Sequence, residues 1–301
     1  MGTLIFPRKP AAFAYPLYDA FPGLTTPEHD YTLARGGLGS YHGWTVRLSR
    51  RQSLARVMAA ASVPPLILGA RQNSSRRIRL AILDIGGTII RDRGDVPELL
   101  RRSLANHGVA STPDEISRWR GASKRDMIRH FVEQQPLAAS SDRDKLIGRI
   151  YDEFTTDLIE AYRSVPPIAG AEEAIVELRQ KGYLVATTTG FDRAVTMSIF
   201  DRLGWNKHFA ATICSDDVAL GRPAPFMLFH AMEAAKVDSV AETVAVGDTA
   251  LDLQAGTNAG LRAVIGVLTG AATAETLRRE PHTHILSSVT KLPDLLASLS
   301  K

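Results

Sequence analysis

Short apolar runs alternate with amphipathic stretches over residues 78–301. The strand candidates are Leu80–Asp84, Leu184–Thr188, Ala211–Cys214, Thr243–Val246, Ala263–Val267 and His284–Leu286. Brief runs of this kind, bounded by Gly, Thr or Asp, suit strands buried on both faces of a parallel sheet. Between them apolar residues recur at helical spacing around Ala171–Gln180, Ala194–Leu203, Pro225–Ala235, Leu251–Ala259 and Ala274–Arg279. Gly182, Gly204 and Gly260 stand where helices end. The alternation predicts an α/β fold, a doubly wound, Rossmann-like parallel sheet covered by helices.

The pattern breaks once. Residues 92–166 read as nearly all helix, with a capping box and N1 proline at Thr112-Pro113-Asp114-Glu115 and a weaker start at Ser123 with Asp126. Ser141 to Arg163 is long enough for several turns, and Pro166-Pro167 and Gly170 mark the return to the sheet. The chain is thus expected to divide into a leader (1–77), a core (78–91 and 167–301) and an inserted helical cap (92–166) lying over the first strand's end.

Charge separates the leader from the rest. Residues 1–79 carry eleven Lys and Arg against three Asp and Glu, while the remainder carries 25 against 29. The basic surplus is confined to the leader, so it gives the folded part no nucleic-acid footprint. Residues 1–45, rich in Gly, Pro and Tyr, have no period and are expected to be disordered or to lie upstream of the true start. Arg47 to Arg56 is basic, Val57 to Leu68 apolar and Ala-rich, and Gly69-Ala70 small. That layout reads as an export signal of twin-arginine type, placing the protein in the periplasm; a basic amphipathic helix, and a cytoplasmic protein, is the alternative. The apolar stretch is too short and too broken by Pro64-Pro65 for a stable membrane span. The single cysteine, Cys214, excludes an intramolecular disulfide and reads as a buried thiol.

Candidate chemistry sits at strand ends. Asp84-Ile85-Gly86-Gly87-Thr88 follows the first strand, Thr187-Thr188-Thr189-Gly190 the second, Gly221-Arg222-Pro223 opens a helix, and Val246-Gly247-Asp248-Thr249-Ala250-Leu251-Asp252 follows the fourth. Glycine allows backbone to approach a ligand and Thr88 offers a hydroxyl. Asp84, Asp248 and Asp252 at one sheet edge would repel one another unless a cation, Mg²⁺ for hard oxygen donors, neutralised them. Thr188 and Arg222 can then supply a hydroxyl and a fixed charge to a phosphoryl group. Taken singly, Asp248 and Thr188 also read as helix caps and Arg222 as a surface residue.

With these motifs in this order, residues 78–298 resemble the haloacid dehalogenase superfamily. The resemblance implies that Asp84 is a nucleophile forming an aspartyl-phosphate, and that its carboxylate, the Gly86 carbonyl, Asp248 and Asp252 bind Mg²⁺. It implies that Thr188 and Arg222 hold the phosphoryl oxygens, with Gly87, Thr88, Thr189, Gly190 and Gly121 around the substrate. Gly86 departs from the superfamily's phosphatases, which carry a second aspartate there as general acid–base; losing such a group costs ~10²–10⁴-fold in rate.

The phosphonoacetaldehyde hydrolase branch has a small residue at that position and uses a cap lysine to form a Schiff base. This chain resembles it in Thr188-Thr189-Gly190-Phe191-Asp192-Arg193 and Ser215-Asp216-Asp217-Val218-Ala219-Leu220-Gly221-Arg222-Pro223, and Lys124 of Gly121-Ala122-Ser123-Lys124 falls where the lysine belongs. Met127 and Phe191 stand where the branch has histidine and tyrosine. Lys124 reads equally as a Schiff-base amine or as a substrate-binding cation. The closing run Gly266 to Ala271 is closer to phosphonatase-like hydrolases, and His282 and His284 read as loop residues rather than metal ligands. The implied partner is a small phosphorylated or phosphonate substrate, with a homodimer through the cap. The alternatives are a phosphate monoester phosphatase and a low-turnover Mg²⁺- and phosphate-binding module.

Overall fold

The computed structural model describes residues 77–135 and 140–300. The expected leader and its signal-like stretch at 47–70 lie outside the described residues. Among the described residues, six parallel strands form one sheet: β1 (Leu80–Leu83), β2 (Leu184–Thr188), β3 (Ala211–Ile213), β4 (Thr243–Gly247), β5 (Ala263–Val267) and β6 (His284–Leu286). Their spatial order is β3-β2-β1-β4-β5-β6, the doubly wound arrangement expected from the alternating pattern.

Alternate residues of the buried strands feed opposite layers, as the period of two requires. Leu80, Ile82, Ala186 and Ala245 pack against α7 (Phe226–Ala234) and α8 (Ala250–Asn258) through Leu228, Ala231 and Ala255. Ala81, Leu83, Val185 and Val244 face the other side, with α5 (Ala171–Gln180), α6 (Arg193–Leu203) and α10 (Leu292–Leu299) contributing Ile175, Leu178, Phe200 and Leu296. Each large aliphatic side chain taken from water contributes ~1.5–3 kcal/mol before chain entropy is set against it. A short helix, α9 (Ala274–Arg278), precedes β6.

Between β1 and α5 lie α1 (Asp95–Asn106), α2 (Pro113–Arg118), α3 (Lys124–Glu133) and α4 (Ser140–Tyr162). α2 begins with the Thr112–Glu115 capping box, and the Ser123 side chain caps α3 by accepting from the Asp126 amide. These helices share a core that includes Leu104, Ile128, Phe131, Ile150 and Phe154. The two chain connections to this helical cap are tied together: Arg91 N donates to Pro166 O at 3.1 Å and Ile168 N to Ile89 O at 2.9 Å. The cap therefore leaves and re-enters the core beside the end of β1. Among the described residues no helix is long and apolar enough to cross a membrane.

Candidate active site

Strand register builds the site. Leu83 of β1 pairs with Thr187 of β2 and Val246 of β4, so Asp84, Thr188 and Gly247 come abreast one step further on. β1 lies between neighbours reached by oppositely directed crossovers, where open α/β sheets have their ligand crevice. Asp84 N still donates to Val246 O at 2.8 Å, fixing the carboxylate at the strand tip, and the residue is 5% exposed.

Arg222 is held from every side. Its Nη1 meets Asp84 Oδ1 at 2.7 Å and Asp252 Oδ1 at 2.8 Å, while Nη2 donates to the carbonyl and hydroxyl oxygens of Thr188 at 2.9 and 2.8 Å. Asp252 also completes a capping box at the start of α8, its Oδ2 accepting from the Thr249 amide and hydroxyl. Both of its oxygens are thus engaged, although the carboxylate still stands in the acidic cluster.

Asp248 differs. Among the described residues no lysine or arginine pairs with it; it accepts from Ala271 N at 2.7 Å and from the Thr88 hydroxyl at 3.3 Å. Oxygens of Asp84, Asp248 and Asp252 all lie within 4.8 Å of one another. Burial, opposed by Arg222, lifts Asp84 to about 6. Burial and then the Asp84 and Asp252 charges push Asp248 well above the carboxylate range. Three buried carboxylates, of which only Asp84 and Asp252 pair with an arginine, fit a divalent cation with oxygen ligands. A second group of potential ligands, Cys214 with Asp216 and Asp217, is less suited: burial raises the thiol to about 11, and Asp217 is paired with Arg193.

The cap supplies the opposite wall. Lys124 opens α3, is 7% exposed, and donates from Nζ to Ala122 O at 2.8 Å. Its Nζ also lies 5.4 Å from the centroid of the Phe191 ring. Burial lowers its pKa to about 8, against the pull of Asp84. The loop before it sits on core backbone. A Cβ on Gly190 would stand 2.5 Å from Ala122 O, and one on Gly121, whose φ is +88°, would stand 2.5 Å from Thr249 Oγ1. These contacts require glycine, and they hold the cap loop against the ends of β2 and β4.

Of the residues singled out from sequence, Asp84, Gly86, Gly121, Lys124, Thr189, Gly190, Arg222 and Asp248 line one cavity. Four stand behind it. Thr188 and Asp252 hold Arg222, Thr88 bonds Asp248, and the Gly87 carbonyl accepts from Thr269 Oγ1 at 2.7 Å. Thr189 Oγ1 accepts from Phe191 N at 3.1 Å, tightening the turn after β2. Sequence reasoning missed Tyr162, Arg120 and Asp92, which also line the cavity. Asp92 and Arg120 flank the cap's entry and pair at 3.0 Å. Nothing in helical periodicity marks such residues.

The model for haloacid dehalogenase-like hydrolases matches residues 81–266. Curated relatives include phosphonoacetaldehyde hydrolases of Bacillus cytotoxicus, 30% identical over 209 residues, and Bacillus cereus, 31% identical over 209 residues. Each alignment covers 65% of this chain and 78% of the relative. Among solved structures, a phosphonoacetaldehyde hydrolase-like protein from Oleispira antarctica aligns with a TM-score of 0.65 and 20% identity, covering 75% of this chain and 94% of that one. A hydrolase from Pseudomonas syringae aligns with a TM-score of 0.66 and 16% identity, covering 74% of this chain and 100% of that one. At these identities the solved structures speak for the fold alone.

Proposed function

The chain belongs to the haloacid dehalogenase-like hydrolases, and we propose that within that family it is a Mg²⁺-dependent phosphonatase-like hydrolase. It acts through an aspartyl-phosphate on Asp84 and cleaves the carbon–phosphorus bond of phosphonoacetaldehyde or a related carbonyl phosphonate. The observation that carries this reading is Lys124, a buried amine with its pKa brought down to about 8, in the same cavity as Asp84.

In this reading Asp84, the Gly86 carbonyl and Asp248 hold Mg²⁺, with Asp252 in the same cluster chiefly orienting Arg222. The cation would offset phosphoryl charge and align the phosphorus with the Asp84 carboxylate. Arg222 donates to phosphoryl oxygens, and Thr188, whose carbonyl and hydroxyl oxygens accept from Arg222 Nη2, orients that guanidinium from behind. Neutral Lys124 adds to the substrate carbonyl; loss of water leaves an iminium. Asp84 then attacks phosphorus, the C–P bond breaks, and its electron pair passes to carbon and is delocalised into the iminium as an enamine. Protonation at carbon and hydrolysis of the imine release the aldehyde, and water cleaves the aspartyl-phosphate.

This route has no alkoxide to protonate at the point of P–C cleavage, which suits glycine at position 86. An ester phosphatase would need the acid that Gly86 cannot provide. The 30–31% identity to phosphonoacetaldehyde hydrolases supports the same reading.

Borohydride reduction in the presence of phosphonoacetaldehyde tests it. A covalent adduct mapped to Lys124 by peptide mass spectrometry, together with phosphate and acetaldehyde release, is the expected result. Phosphate release from esters with no adduct on Lys124 would remove the imine route.

A further inference from the structure

Tyr162, the last residue of α4, lines the cavity and is 3% exposed. Its ring meets Phe191 edge-on, with centroids 5.2 Å apart. Its hydroxyl has no hydrogen-bond partner among the described residues, in contrast to Tyr151 at mid-helix, whose hydroxyl donates to Asp192 at 2.5 Å. On the cap side Val96, Ile116 and Met127 line the cavity beside Tyr162, together with Lys124 and the Asp92–Arg120 ion pair, whose charges already meet each other. Buried hydroxyls are nearly always partnered, and one without a protein partner in a ligand cavity is served by water or by the ligand. A ligand that displaces that water must offer an acceptor in its place.

The phenol can play only one part there. Burial raises its pKa, and the charges of Asp92, Asp95 and Asp84 push the same way, so it stays protonated and is available as a donor. The phosphoryl end of a substrate is already matched to Arg222 and the carboxylate cluster. Tyr162 belongs to the cap wall, across the cavity from that cluster, so its donor is left to recognise the carbon portion.

We infer that Tyr162 is a substrate-binding residue that donates a hydrogen bond to an oxygen carried on the carbon portion of a phosphonate, apart from the phosphoryl group. This rests on the phosphonate reading above and adds a specificity element to it. The substrate class is then a phosphonate bearing an aldehyde or ketone oxygen, rather than a plain alkylphosphonate.

Two unreactive ligands of matched size test it without turnover: 2-hydroxyethylphosphonate and propylphosphonate, which differ by a hydroxyl in place of a methyl. Binding to the full chain is measured by calorimetry with Mg²⁺ present. The wild-type protein is expected to prefer the hydroxyl ligand by roughly tenfold, the effect of one hydrogen bond to a desolvated site. Tyr162→Phe keeps the ring against Phe191 and should bring the preference close to one, with propylphosphonate affinity unchanged. A preference that persists in Tyr162→Phe overturns the inference. So does equal weakening of both ligands, which is what a merely structural role would produce, and so does a wild type that fails to discriminate. If the preference vanishes as expected but phosphonoacetaldehyde yields no adduct on Lys124, the imine reading falls and the assignment of Tyr162 stands.

Discussion

The two walls of the cavity are built by different physics. On the core side the chemical groups are fixed by strand ends or by bonds to them. β1, β2 and β4 run in register, so Asp84, Thr188 and the Gly247–Asp248 turn emerge side by side, and Arg222 is locked among them by bonds to Asp84, Asp252 and Thr188. On the cap side Lys124, Gly121 and Tyr162 come from a helix start, a loop and a helix end. What brings them to the site is the docking of the cap as a whole. The core wall therefore depends on local register, whereas the cap wall depends on a seam that substitution can open. The core should carry the phosphoryl chemistry, and the cap should decide what is attached to the phosphorus.

Asp84→Asn breaks the core side most severely. It keeps the shape of the side chain but removes the carboxylate proposed as the nucleophile and its ion pair with Arg222, and turnover measured as phosphate release is expected to fall at least ~10³-fold. Residual activity within tenfold of wild type would move the chemistry away from Asp84. Mg²⁺ binding should weaken in the same variant, because one of the three clustered carboxylates is gone.

Lys124→Arg makes the matching change on the cap side. Charge is retained and the imine becomes unattainable, so turnover of phosphonoacetaldehyde should fall ~10²-fold or more and the borohydride adduct should disappear. In the wild type the adduct requires the neutral amine. With burial holding the Lys124 pKa near about 8, the trapping rate should climb as pH rises from 6, bend near 8 and level off above it. A bend close to the ordinary lysine value would mean that the amine is not desolvated as the closed cap implies. If Lys124→Arg turned over the aldehyde at the wild-type rate, the division of labour between the two walls would be lost.

How far each wall could be read from sequence follows the same division. Asp84, Gly86 and Asp248 were legible because a buried strand must stop, and the Gly, Thr and Asp that stop it stand out against the apolar run, whereas Arg222 stood out as a fixed charge in the Gly221-Arg222-Pro223 loop. The alternating strands and helices and the Thr112–Glu115 capping box rest on short-range rules that a sequence displays. The roles of Thr188 and Asp252 were less legible, since whether such a residue faces the cavity or stands behind Arg222 depends on contacts 34 residues away in one case and on packing in the other. For the cap, amphipathic spacing gives the buried face of a helix without saying whether a neighbouring helix or the cavity covers it. Met127 and Ile128 are adjacent in α3 and both buried, yet only Met127 lines the site. Tyr162 was invisible for that reason, and Lys124 was found only through the residues it resembles.

The seam itself is tested by Gly190→Ala. Its added methyl would stand 2.5 Å from Ala122 O and 2.9 Å from Gly121 O, both backbone atoms that cannot swing aside. Overpacking of this kind costs ~1–3 kcal/mol, and here the loop can relieve it by lifting from the core. The expected result is a KM for phosphonoacetaldehyde raised ~5- to 100-fold, with faster hydrogen exchange at residues 120–124 and little change at β1. Gly148→Ala, inside α4, is the control, since its φ lies outside the left-handed region and a Cβ there meets nothing within 4 Å. Equal effects of the two would show that the close approach at Gly190 does not hold the cap.

The smallest effect is expected from the ion pair at the cavity's rim. Arg120 Nη1 meets Asp92 Oδ2 at 3.0 Å, with the side chains 31% and 20% exposed. The pair joins the loop before α3 to the segment leaving β1, and it is tempting to make it the latch of the closed cap. Solvent screening argues otherwise, because partly exposed pairs contribute ~0–1 kcal/mol. Arg120→Ala should therefore lower Tm by no more than ~1–4 °C, with the loss shrinking in high salt. A larger fall, or faster exchange at residues 120–124 like that expected of Gly190→Ala, would shift the closing contact from the glycine seam to this pair. The cap would then be held by charge and its closure would become sensitive to ionic strength, which backbone packing at Gly190 and Gly121 is not.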